Sequence, residues 1–123
     1  MNLSKSKKTV VIGASDNPSR YAFIATNRLK QYGHEVVPVG LRTGKIGDIE
    51  VLKSFPEIKD VDTVTLYVGP KHQDYWKEYI YSLNPKRVIF NPGTESEFEE
   101  ELAQRGIEAT EACTLVLLSI GDY

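Results

Sequence analysis

The chain alternates short apolar runs with longer segments in which apolar residues recur every three or four positions. Val10-Val11-Ile12 is a β-branched run that stops at Gly13, the pattern of a strand buried on both faces. Asn17-Pro18 then reads as a helix N-cap and first helical residue. Tyr21, Ile24, Ala25 and Leu29 follow at helical spacing, and Gly33 ends the run. Glu35 to Val39 predicts a second strand, whose Pro38 suits a strand end better than a central position. Asp62 to Val68 predicts a third, broken by Gly69-Pro70, and Lys71 to Leu83 a helix with Tyr75, Tyr79, Ile80 and Leu83 on one side. Arg87 to Phe90 is a fourth strand. Thr94 with Glu97 three positions on predicts a capping box, opening a helix that ends at Gly106. Ile107 to Ala109 is a fifth strand. The stretch between Gly40 and Asp60 reads as a loop with one helical turn near Ser54 to Ile58, and the apolar tail Leu115 to Ile120 fits helix or strand equally.

Strands alternating with helices predict an α/β fold: a Rossmann-like three-layer sandwich around a mostly parallel five-stranded sheet of order 3-2-1-4-5. In such sheets ligands bind beyond the carboxyl ends of the strands, where the order reverses. The turns at that edge are Gly13 to Arg20, Gly40 to Lys45, Gly69 to Lys71 and Asn91 to Thr94. All four carry glycine.

Length and composition add bounds. At 123 residues the chain is expected to form one domain, 1–123. Fifteen lysines and arginines against 17 acidic residues leave no basic surplus for general nucleic-acid binding. The basic start, Met1 to Thr9, is followed by too short an apolar run for a signal peptide. No stretch approaches the ~20 apolar residues of a membrane span. The single Cys113 allows no internal disulfide and fits a reducing, cytoplasmic setting. Two histidines and one cysteine support no zinc site.

The first turn has two readings. Gly13 either permits close strand–helix packing or lets backbone approach a ligand phosphate. In the second, Ser15 adds a hydroxyl and Arg20 a guanidinium fork, with Tyr21 beside it. The turn lacks the second and third glycines of a dinucleotide fingerprint. Nor does an acid stand after the second strand, where NAD enzymes hold the ribose. Arg42 and Lys45 stand there instead, which suits a ribose carrying its own phosphate, as in coenzyme A or NADP.

The ordered blocks VVIGAS, NPSR, GHEVVPV, GKIGD and VDTVTLYVGP, with the late glycine turn and cysteine, resemble the small CoA-binding domain proteins. These are Rossmann-like and related to the CoA-binding part of succinyl-CoA ligase alpha subunits. The resemblance runs from Lys8 to Cys113. It implies that Gly13, Ala14, Ser15 and Asn17 lie along the CoA diphosphate with Arg20 as a phosphate ligand. It places Gly40, Arg42 and Lys45 by the adenosine and its 3′-phosphate. Val68, Gly69 and Pro70 would then line the adenine or the cleft floor, and Asn91 and Gly93 the pantetheine arm. Ala22, Gly40, Asn91 and Ala112 depart from the family's usual residues.

The expected function is therefore binding of coenzyme A or an acyl-CoA without evident catalysis. The alternatives are an NADP-dependent oxidoreductase, with Tyr67 or Tyr21 as proton donor, and a non-catalytic partner subunit of an acyl-CoA ligase or transferase. Cys113 is expected to be a buried, inert thiol. The tail offers a face for a homodimer.

Overall fold

The computed structural model of the protein describes residues 6–123; Met1 to Lys5 of the basic start lie outside them. Five parallel strands form the main sheet: β1 (Thr9–Ile12), β2 (Val36–Val39), β5 (Thr63–Leu66), β6 (Arg87–Phe90) and β7 (Glu108–Glu111). They lie in the spatial order β2-β1-β5-β6-β7. A two-stranded antiparallel hairpin, β3 (Gly44–Ile46) and β4 (Ile49–Val51), follows β2.

The hairpin decides how the expected strand order is realised. Just beyond β4, Leu52 bridges Val39 in parallel, donating to the Pro38 carbonyl and accepting from the Gly40 amide. The return arm of the hairpin thus occupies the third place of a 3-2-1-4-5 series. The segment 62–68, expected as third strand, lies against β1 instead, with Thr9 opposite Thr63 and Ile12 opposite Leu66. The sequence reading missed the hairpin because its arms are three residues each. The helical turn expected near Ser54 to Ile58 is absent. Ser54 and Phe55 adopt left-handed backbone (φ 65° and 56°), which no helix can hold. Pro38 is tolerated because only that single bridge flanks β2 on its outer side.

Alternation along the strands sorts the core into two faces. Val10, Ile12, Val64, Leu66, Val88 and Phe90 pack against α2 (Asp74–Leu83) and α3 (Phe98–Gln104). Val11 and Ile89 pack against α1 (Tyr21–Gln31) and α4 (Thr114–Ile120), and the hairpin adds Ile46 and Val51 to that face. The result is a helix–sheet–helix sandwich, as expected. The ambiguous tail is helix α4.

Three helix starts differ from the sequence reading. The first helix begins at Tyr21, because Asn17 Oδ1 accepts from the amide and hydroxyl of Ser19 and closes a separate turn. Pro70–His72 forms a 3-10 turn ahead of α2. The capping box forms two residues later than expected. Ser96 Oγ accepts from the Phe98 amide, and the Glu99 carboxylate accepts from the Ser96 amide.

At the amino edge of the sheet, Tyr123 closes the α1/α4 face. Its hydroxyl shares a 2.6 Å hydrogen bond with Thr9 Oγ1, and its ring stacks near His34 and under the Arg87 guanidinium. His34 Nδ1 accepts from the Lys7 amide at 2.9 Å, which requires the neutral ring. Burial, then the Lys7 and Arg87 charges, hold its pKa below the usual histidine value. The unfolded chain therefore binds this proton more tightly, so stability is expected to fall as pH drops below about 6.5, the ordinary histidine value. Urea unfolding of the parent and of His34→Gln between pH 7.5 and 5.5 checks this. The parent is expected to lose stability toward the acid end, and the variant to lose less.

Candidate functional site

The four glycine turns at the carboxyl edge form one connected floor. Turn one is tied to the end of β2, just before turn two: Gly13 and Ala14 both donate their amides to the Val39 carbonyl, each at 3.0 Å. Gly40 lies so close to the Ala14 carbonyl that a Cβ there would overlap it. The Asp16 carboxylate folds onto Gly44, where a Cβ would come within 2.6 Å of Oδ2. Turns one and three also touch. Gly13, at φ +93°, leaves only 2.6 Å between an added Cβ and the Tyr67 carbonyl.

Turns three and four are tied by Gln73, which is almost wholly buried. Its side-chain amide donates to the Val68 and Thr94 carbonyls at 2.9 and 2.6 Å, and its Oε1 accepts from the Ser96 hydroxyl. Sequence reading missed Gln73, since a polar residue beside a helix start ordinarily looks solvated. Asn91 makes a second tie. Its side chain donates to Thr65 Oγ1 and the Leu66 carbonyl and accepts from the Thr114 amide. That joins β5, β6 and α4.

These contacts redistribute the donors expected to face a ligand. The amides of Gly13 and Ala14 are consumed by Val39, so Gly13 serves packing first. Among the described residues, the Ser15 and Asp16 amides have no backbone or side-chain partner, and neither do those of Tyr21 and Ala22 at the start of α1. Ser15 Oγ accepts from the Asn17 amide at 3.0 Å, leaving its own O–H to donate. Asn91 lends no side-chain group to the cleft. Gly69 and Gly93 border open space, where an added Cβ would meet nothing within 4 Å. Pro70 is exposed at the rim and Val68 is buried beneath it.

The rim is cationic. Arg20, Arg42, Lys45 and Lys71 are exposed, and among the described residues none of them makes an ion pair. Tyr21, beside Arg20, is 70% exposed. Between turns two and three lies a cavity of about 430 Å³ lined by Leu41, Lys71, His72, Tyr75 and Trp76. Leu41 and Tyr75 are exposed large hydrophobic side chains, so the cavity offers hydrophobic walls with one cation, Lys71, in its lining. The sequence put Tyr75 on one side with Tyr79, Ile80 and Leu83; the buried stripe of α2 instead runs through Trp76, Tyr79, Ile80 and Leu83, which leaves Tyr75 facing outward.

Behind the floor, the Tyr67 hydroxyl is buried without a hydrogen-bond partner. Burial, with the Cys113 thiol nearby, pushes its pKa well above the ordinary tyrosine value. Cys113 itself is half-buried and free at the carboxyl end of β7, less buried than the sequence suggested. No group of three or more histidine, cysteine or acidic side chains among the described residues could hold a metal ion. No helix among them is long and apolar enough to cross a membrane.

Comparison with known proteins fits this architecture. The model of the CoA-binding domain family matches residues 7–119, and the chain belongs to that family. It is 50% identical to an uncharacterized protein of known crystal structure (TM-score 0.93), with 96% of this chain and 98% of that one covered. A conserved hypothetical protein from Pyrococcus furiosus is 31% identical over 89% of this chain and 97% of its own, with TM-score 0.79. A hypothetical protein from Pyrococcus horikoshii OT3 is 26% identical over 93% and 82%, with TM-score 0.78. No curated protein matches.

Truncating Asn91 is expected to leave the Leu66 carbonyl and the Thr114 amide unsatisfied in the interior. Asn91→Ala should cost about 2–4 kcal/mol, read as a lower urea midpoint with an unchanged slope.

Proposed function

We propose that the protein binds coenzyme A or an acyl-CoA across the four turns. Family membership supports CoA binding at the coarse level, and the residue assignment is our reading. The observation that carries it is the pairing of unpartnered donors with unpaired cations at one edge: the amides of Ser15, Asp16, Tyr21 and Ala22 beside Arg20. Amides at a helix start and a guanidinium suit a diphosphate. The apolar cavity against Leu41, Tyr75 and Trp76 suits the adenine ring. Arg42 and Lys45, with Lys71 across the cavity, are the cations for the 3′-phosphate. The open space over Gly69 and Gly93 leaves a path for the pantetheine arm.

The rival reading, an NADP-dependent oxidoreductase, is weakened at Tyr67, one of its two candidate proton donors. The Tyr67 hydroxyl is buried behind the cleft and holds its proton tightly, contrary to what a general acid near neutral pH requires. A reducing, cytoplasmic location and a role as the CoA-binding subunit of a separate enzyme are consistent with this reading and rest on it. The nucleic-acid and membrane partners excluded by composition have no place in it.

Calorimetry with CoA, dephospho-CoA and NADP is the test. CoA is expected to bind more tightly than dephospho-CoA, by about tenfold for one exposed phosphate contact, and NADP weakly. Arg20→Ala should lower CoA affinity by a similar factor. Equal affinity for CoA and dephospho-CoA would remove the assignment of Arg42, Lys45 and Lys71, and no CoA binding at all would overturn the reading.

A further inference from the structure

A second concave surface adjoins the candidate cleft, between the 53–61 segment and α2, and shares Tyr75 with it. It is a groove of about 420 Å³ walled by Phe55, Ile58, Tyr75 and Tyr79, with Glu57 and Glu78 in its lining. A contiguous cavity of about 590 Å³ shares Glu57 and Ile58 and adds Asp60. Lys59 and Lys86 also border that second cavity, but Lys86 is paired with Asp62 at 3.9 Å. The carboxylates Glu57, Glu78 and Asp60 make no ion pair among the described residues. The net field of the groove is negative.

Phe55 joins the aromatic wall at a conformational cost. Ser54 and Phe55 are consecutive non-glycine residues in left-handed backbone. That conformation is sparsely populated and persists only where surrounding contacts enforce it. Here it lays Phe55 against Tyr75, Trp76 and Tyr79, with ring centroids 5.1, 5.6 and 5.1 Å away. The Tyr79 hydroxyl donates to the Pro56 carbonyl at 2.6 Å and pins the segment to α2. Phe55 remains 41% exposed and Tyr75 58% exposed. Simple burial of Phe55 therefore does not account for the arrangement.

Exposed aromatic faces flanked by carboxylates are complementary to one kind of group: a planar cation that stacks on a ring while its N–H donors meet the acids. We infer that this groove docks an arginine-bearing segment of a partner protein. A guanidinium lies on Phe55 and Tyr75 and donates to Glu57 and Glu78. A lysine fills the site less well, because its ammonium cannot stack as a plane or present a fork. Tyr75 also lines the candidate nucleotide cavity, so a partner seated here sits beside the cleft.

The test titrates ¹⁵N-labelled protein with acetyl-Gly-Arg-Gly-Arg-Gly-amide and with the peptide carrying lysine in both places. Amide shifts of Phe55, Glu57 and Glu78 report the groove. The arginine peptide is expected to saturate these signals, with the lysine peptide at least about fivefold weaker. The exposed pair Glu57→Gln and Glu78→Gln, which fills no core position, is expected to weaken the arginine peptide by at least about fivefold. Equal affinity for the two peptides, an unchanged affinity in the double variant, or no saturable shift would overturn the inference. No nucleotide is present in the experiment, so its outcome is independent of the reading of the cleft.

Discussion

One carbonyl organises the carboxyl edge of the sheet. Val39 ends β2, and its oxygen accepts from both Gly13 and Ala14 at the end of β1. That double acceptance turns the chain out of β1 at a fixed angle and draws the second turn under the first. It works only because Gly40 has no Cβ to strike the Ala14 carbonyl. Gly13 must likewise take a positive φ against the Tyr67 carbonyl. Two residues are thus confined to glycine by neighbouring backbone alone. The donors left over, two residues further on and at the start of α1, are the ones free to meet a ligand.

The question of whether a small-residue turn means packing or phosphate has a divided answer in this chain. Gly13 and Ala14 are there for packing. Ser15, Asp16 and the first amides of α1 are there without a partner. A floor tied by the Val39, Gln73 and Asn91 hydrogen bonds is rigid, because the groups in those ties have fixed mates. Gln73 and Asn91 extend that rigidity across turns three and four. Preorganisation of this kind lowers the ordering cost of binding, which is how structural residues of the floor would act on affinity without touching the ligand.

Much of this was legible from residue pattern. The strand runs at Val10, Val64 and Val88 stand out because strands buried on both faces are rich in β-branched and apolar residues. The resemblance of VVIGAS and VDTVTLYVGP to the CoA-binding domain family correctly pointed to the family. What could not be read were features too short to show a period, local side-chain turns, and contacts between residues distant in sequence. The hairpin at Gly44–Val51 is too short to show a period. The start of α1 slid to Tyr21 because Asn17 found Ser19 first. Asn91 looked like a cleft residue and is instead tied inward to Thr65, Leu66 and Thr114. The outward face of Tyr75 and the left-handed Ser54-Phe55 pair depend on tertiary contact, and no composition rule anticipates either.

The central claim is that the anion-binding amides are those left unpaired by the Val39 contact. Amide chemical shifts followed through a CoA titration test it most directly. The account predicts large shifts at Ser15, Asp16, Tyr21 and Ala22 that saturate together, with Gly13 and Ala14 keeping their hydrogen-exchange protection throughout. Shifts confined to other turns, or loss of protection at Gly13 and Ala14 as CoA binds, would contradict it.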